Sequence, residues 1–322
     1  MKKTPGGVFC AVLKILLLVG LGFSCPVGTV SGAVVTLTAS DAGGTTSFNA
    51  AGHWDSLTAP TAGNSYVDFG WVLRSPATNS NYTFAGDSLT VSGGGSLAYK
   101  GNLSGILTVG DLRLDNGTFS ASQNNVTVTL NGTVTVNSGG AIFDAPSADR
   151  PMTVNSQISG VGDISVRSSV SAGGNVTFTG NNTYTGNTTV AAGADFTLNA
   201  NAGLKFVIGA SGTNNQVTGV GTVNLNGNFT FDLSGAGTTV GNSWNIVNNG
   251  TLAETFGAPF SVVGFTDMGG NLWEKINGGV TYQFNEATGV LGVMPEPSTW
   301  ALLVAGLTVV AVLRFPKKNR AG

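Results

Sequence analysis

The chain has 322 residues, of which 49 are glycine, 41% are hydrophobic and only 9% are charged. Ordinary soluble domains carry roughly 25% charge, a disordered polar tract would hold far fewer apolar residues, and no every-third-glycine pattern marks a collagen. Half of the basic residues sit in the terminal segments, leaving 7 basic against 15 acidic residues between positions 34 and 294. A body of about −8 argues against a nucleic-acid partner, which calls for a basic footprint.

Residues 1–33 have the three parts of a secretory signal: Lys2 and Lys3, the apolar run Ile15-Leu16-Leu17-Leu18-Val19, and small residues ending at Ala33, the expected cleavage point. The apolar run is short for a permanent anchor. Cys25 does not make a lipoprotein site, because Gly22-Phe23-Ser24 lacks the aliphatic residue such a site carries. Both cysteines, Cys10 and Cys25, fall in this segment, so the processed body has no thiol for a disulfide or a metal.

Residues 34–84, with His53-Trp54-Asp55 and the loop around Arg74, are expected to form an N-terminal β cap over an otherwise open sheet edge. From 85 to 250 the chain is a series of short segments with apolar residues at every second position. Val126-Thr127-Val128-Thr129-Leu130, Val176-Thr177-Phe178 and Phe229-Thr230-Phe231 are examples, and this is the period of a strand with one buried face. Asn-Gly pairs at 116–117, 131–132 and 226–227 mark tight turns.

One stretch narrows the choice among sandwich, barrel and solenoid. Gly174-Asn175-Val176-Thr177-Phe178-Thr179-Gly180-Asn181-Asn182-Thr183-Tyr184-Thr185-Gly186-Asn187-Thr188-Thr189-Val190 resembles the autotransporter-associated β-strand repeat. That resemblance implies a right-handed parallel β-helix, with the alternating apolar residues as its core and Thr and Asn in outward rows. The chain departs from autotransporters in ending on an apolar helix rather than a membrane barrel, so self-secretion is not implied. Residues 251–293, holding Phe256, Phe260, Phe265, Trp273, Tyr282 and Phe284, are expected to form a C-terminal β module. Core packing of Trp273 and Tyr282 is weighed there against a sugar-stacking patch.

The tail, 294–322, has three parts: Pro295-Glu296-Pro297; an uncharged run including Trp300, Leu302, Leu303, Val304, Leu307, Val309, Val310, Val312 and Leu313; and a basic stop of Arg314, Lys317, Lys318 and Arg320. As a helix, Trp300 to Phe315 would extend about 24 Å at roughly 1.5 Å per residue, slightly less than the hydrocarbon core. The basic end would stay cytoplasmic and the body outside. The arrangement resembles the PEP-CTERM sorting signal. That resemblance implies recognition and removal of the tail by an exosortase, and association with extracellular polysaccharide.

Catalytic patterns are weak. His53 is the single histidine, with Asp55 too near along a loop to orient it, and a zinc site would need further ligands. Asp111, Asp115, Asp144, Asp149 and Asp163 lie in turns without the repeated register that paired glycosidase carboxylates need. Gly160-Val161-Gly162-Asp163 falls short of a recurring calcium nonapeptide, and Gly93-Gly94-Gly95 lacks the lysine and helix of a phosphate loop.

The sequence therefore reads as an all-β, right-handed β-helical body with a single C-terminal transmembrane helix. It is exported, held at the inner membrane, then sorted to the cell surface or matrix. A non-enzymatic structural or adhesive role without a cofactor is expected, with exosortase, membrane and polysaccharide as partners. Two alternatives stay open: a surface carbohydrate-active lyase or glycosidase, which a carboxylate cluster on one face would favour, and an adhesin for a protein ligand.

Overall fold

Short β-branched and aromatic segments, broken by Gly and Asn, favour strands that turn often and bury one side. A computed structural model describes residues 32–78, 81–248 and 250–295, and among them every regular element is a strand. These strands stack turn upon turn, in parallel, as a β-solenoid of about seven turns.

Each turn has three sides. The first holds Gly105–Val109, then Val128–Gly132, Met152–Val154, Gly174–Phe178, Ala194–Leu198, Thr222–Leu225 and Ala253–Phe256. The second begins at Val34–Thr36 and runs through Ser65–Phe69, Ser88–Ser92, Asp111–Asp115, Thr133–Val136 and Gln157–Gly160. Both belong to one twelve-stranded sheet, because Gly105–Asp115 and Val128–Val136 pass unbroken through the corner, where the register shifts between Val109 and Asp111. Farther along, Gly203–Val207, Asn228–Asp232 and Ser261–Val262 form a three-stranded parallel sheet. The third side is a seven-stranded sheet of Val72–Arg74, Ser96–Tyr99, Gly117–Ala121, Ala141–Asp144, Ile164–Arg167, Thr188–Val190 and Val217–Gly219. Parallel pairing thus already starts at residue 34 and continues beyond residue 250.

Inward residues make one continuous core. Met152 lies over Val128 and under Val176, and Val154 lies between Leu130 and Phe178. Phe178 is fully buried, with Phe143 and Phe196 edge-on to it at centroid distances of 5.5 and 5.0 Å. Burying such a ring contributes about 1.5–3 kcal/mol, and each favourable aromatic pair adds about 0.5–1.5 kcal/mol. Turn-to-turn hydrogen bonds at the corners repeatedly join residues 24 apart, as in Asn155 to Asn131 and Thr179 to Asn155.

The corners explain the Asn-Gly pairs. Gly132 and Gly160 have φ of +111° and +108°, and a Cβ on Gly160 would stand 2.1 Å from the Val136 carbonyl oxygen. Asn116 takes the left-handed conformation itself at φ +58°, which asparagine tolerates better than most residues. Gly227 instead gives room: a Cβ there would lie 2.4 Å from the Ala202 oxygen.

The repeat-like stretch also acquires a physical account. Asn182 points inward and is buried, accepting from the Ile158 amide at 3.0 Å and donating to the Gly180 and Gly203 oxygens. Tyr184 is buried with its hydroxyl against Thr188 Oγ1, and burial pushes that phenol above its usual range. Both are internal rather than surface groups, Asn182 tying neighbouring turns and Tyr184 a segment within its own turn.

Aromatic clusters occur at both ends of the parallel stack. Trp54, Tyr66, Phe48 and Phe84 pack together at the N-terminal end. At the other, Phe229, Phe256, Phe260 and Phe284 meet an antiparallel sheet of Ser243–Asn245, Val290–Met294, Val280–Asn285, Leu272–Asn277 and Thr266–Gly269. Tyr282 is 1% exposed and belongs to the core, and Trp273 packs partly buried against it, so core packing accounts for both rings.

Phe178→Ala should lower unfolding free energy by about 3–5 kcal/mol, the usual cost of removing a buried phenylalanine, as read by chemical denaturation. Gly160→Ala should cost about 1–3 kcal/mol through its positive φ and the close carbonyl, measured in the same way.

Candidate functional site

On a stacked solenoid, outward residues recur once per turn, so the site begins from the rows that the register makes. On the seven-stranded sheet one outward row reads Arg74, Ala98, Ser120, Asp144, Arg167. A second, two residues earlier in each strand, reads Val72, Ser96, Thr118, Ile142, Ser165. Ala98, Ser120 and Asp144 point outward yet are buried, so they form the floor of a groove. Its open volume is about 510 Å³, and Arg74, Lys100 and Arg167 stand among its lining residues. A smaller hollow of about 320 Å³, lined by Thr45, Thr46 and Ser75, shares Arg74 and Lys100 with it.

Electrostatics at the groove are built from paired acids and less-paired bases. The Asp144 carboxylate accepts from Arg167 at 3.3 Å and from the Ser169 hydroxyl at 2.8 Å and amide at 3.2 Å. Asp41, 6% exposed, accepts from the Ser47 amide at 2.8 Å, the Ser47 hydroxyl at 2.7 Å and the Arg74 amide at 2.9 Å. Lys100 donates to the Ser122 carbonyl at 2.7 Å. Burial holds its ammonium below the usual lysine range, and the positive charges of Arg74 and Arg150 push the same way.

His53 lies near this region with Asp41, not Asp55, as its partner: Nδ1 is 3.2 Å from Asp41 Oδ1. Ser47 donates to the same oxygen, so the carboxylate stands between the serine and the histidine. A nucleophilic triad requires the histidine in the middle. Here Ser47 also receives the His53 amide and its carbonyl receives the Trp54 indole N–H, which makes the cluster a tie for the first loop.

Asp111, Asp115 and Asp144, expected in turns, lie instead in strands, and with Asp149 and Asp163 they have structural partners. Asp115 accepts from the Gly139 amide and Asp163 from the Asn187 amide, each at 2.7 Å. Asp149 accepts from Ser147 and from the Asn125 amide, while Asp111 pairs with Arg113 at 2.6 Å. Each ties one turn to the next or meets a neighbouring side chain. Among the described residues, no three of His, Cys, Asp and Glu converge as metal ligands.

One buried acid has no such match. Asp68 occupies an inward position in the row of Val91, Leu114 and Val136. Its Oδ1 accepts from the Trp71 amide at 2.9 Å, but its buried Oδ2 has no partner. Burial is the main reason that its pKa rises to about 7, opposed by the nearby Trp71 and Ser96 amides and assisted by Asp41.

The residues expected to direct export lie mostly elsewhere. Ala33 is exposed immediately before the first strand, its amide donating to Asn64 Oδ1 at 3.0 Å, and Pro295 follows the last strand. Glu296, Pro297, the run from Trp300 to Leu313 and the basic stop from Arg314 to Arg320 lie outside the described residues. Among the described residues no helix is long and apolar enough to cross a membrane. The basic groove was missed in the sequence because its members fall in five different strands, at spacings that become a row only once the register is known. Comparison with family models, curated proteins and solved structures returned no match.

Asp68 supplies a pH dependence with a defined sign. Its folded pKa lies above the ordinary carboxyl value of 3.8, so its stabilising protonation is fully present below that value and lost as pH rises through about 7. Asp68→Asn should flatten the fall in stability between pH 4 and pH 8, a loss on the order of 2–4 kcal/mol from this group. Thermal unfolding of both proteins across that range is the check.

Proposed function

We propose that the chain is an exported, non-enzymatic scaffold of the cell surface or extracellular matrix, whose body associates with polysaccharide. One structural observation supports this most directly. On the first side of the solenoid, successive turns stack Thr129, Thr153, Thr177, Thr197, Asn224 and Thr255 in one outward row. At roughly 4.8 Å between strands, the row offers hydroxyl and amide groups at a regular repeat. Within the row Thr255 donates to Asn224 at 3.0 Å, and Asn175, two residues before Thr177 on the same face, donates to Thr197 at 3.0 Å. Such a surface supports many weak, repeated hydrogen bonds to a hydroxyl-rich chain.

In this reading the solenoid coils right-handed, as parallel crossover connections do almost without exception. The segment 1–33 directs export and is removed after Ala33. The tail then crosses the inner membrane as one helix, with Arg314, Lys317, Lys318 and Arg320 inside, until an exosortase acting at Pro295-Glu296-Pro297 releases the body.

Intact-mass and terminal-peptide analysis of native protein from membrane and extracellular fractions tests the sorting steps. The extracellular form should begin at Val34 and end close to Pro295-Glu296-Pro297. An extracellular form that retains Lys317 to Arg320 would overturn processing by an exosortase.

A further inference from the structure

The body carries 15 acidic and 7 basic residues between positions 34 and 294, yet its bases are not spread evenly. Arg74 and Arg167 stand at the two ends of one outward row of the seven-stranded sheet, with three strands between them. Lys100 stands beside them in the groove, and Arg150 lies close enough to lower its pKa further. The two acids of the groove are already engaged, Asp41 by Ser47 and the Arg74 amide and Asp144 by Arg167 and Ser169. Among the described residues, the Arg74 guanidinium has no hydrogen bond or ion pair. A cation with five N–H donors in a fixed fork is therefore left facing the groove, suited to an oxyanion.

Between these charges the lining is hydroxylic: Ser96, Thr118, Ser120 and Ser122. The row from Arg74 to Arg167 spans five adjacent strands, about 19 Å at roughly 4.8 Å per strand. That is a groove for a chain rather than for one small anion. Its lining has no aromatic ring, whereas single-stranded nucleic acid is held by aromatic platforms on which bases stack.

We infer that this groove binds an acidic sugar chain, with Arg74 taking its anionic groups, Arg167 adding the N–H donors that it does not give to Asp144, and the serine and threonine hydroxyls meeting its hydroxyls. This rests on the polysaccharide association proposed above and adds a place and a charge to it. The Thr row of the first side would meet sugar chains regardless of charge; the groove selects those that carry carboxylate or sulfate.

Isothermal titration of the full chain tests this with polygalacturonate, dextran sulfate, neutral dextran and a single-stranded DNA oligonucleotide. An acidic glycan should bind more tightly than dextran, and its affinity should fall as NaCl rises. Comparing polygalacturonate with dextran sulfate separates a carboxylate from a sulfate preference. Arg74→Gln should weaken acidic-glycan binding by about tenfold or more, as expected for loss of a charged hydrogen bond. Arg113→Gln, in an exposed pair on another side of the solenoid, should change it less than about twofold. The salt dependence of the unaltered protein decides the charge question even if Arg74→Gln does not fold. Equal binding of dextran and acidic glycans, insensitive to salt, would overturn this inference and leave the polysaccharide reading intact. Binding of no glycan would overturn both, and tighter binding of DNA than of either acidic glycan would overturn the inference in favour of a nucleic-acid groove.

Discussion

Everything in this molecule depends on register: each inward side chain must sit over one of similar character in the turn below. Parallel pairing at a one-turn offset puts Leu130, Val154, Phe178 and Leu198 into one stack and Val128, Met152, Val176 and Phe196 into the next. A slip by one residue would turn every apolar group on that strand outward. The hydrophobic gain of the stack, rather than any single bond, is what holds seven turns in line.

Corners make that register attainable. A strand can change direction within one or two residues only where positive φ or the absence of a Cβ is available, and Gly132, Gly160 and Asn116 supply it. Polar side chains at the corners then reach to the neighbouring turn, as Asp115, Asp163 and Asn155 do. Charge is scarce in this protein, and these acids serve the backbone of the adjacent turn. Asp115 at a strand end and Asp163 just before a strand are thus held by the stacking itself.

The same stacking that orders the core also composes the surface. Outward positions form rows whose content differs from side to side: threonine and asparagine on the first side, and on the third a mixture of arginine, serine and aspartate. Asp68 shows the cost of breaking the rule, since a carboxylate in an aliphatic row is left with one oxygen unpartnered and a pKa near that of a histidine. Cluster formation among the bases is a consequence of register too, because residues some two dozen positions apart become neighbours.

Much of the architecture was legible in the linear chain. Period-two segments such as Val176-Thr177-Phe178 stated which residues face inward, and Gly and Asn between them stated where the chain turns, because both are local properties of backbone and side chain. All-β structure and a solenoid of parallel turns followed from those signals and from the repeat-like stretch at 174–190. The expectation of export and sorting rests on composition and residue order in the two terminal segments alone. Tertiary structure alone decided what meets across turns. The tie of Asn182 to Ile158 and the row from Arg74 to Arg167 join residues through a register that varies with the length of each loop, and the pairing of His53 with Asp41 rather than Asp55 is set by how the first loop folds back on itself. No local signal encodes that register, because it is set by how whole turns settle on one another to bury their apolar faces.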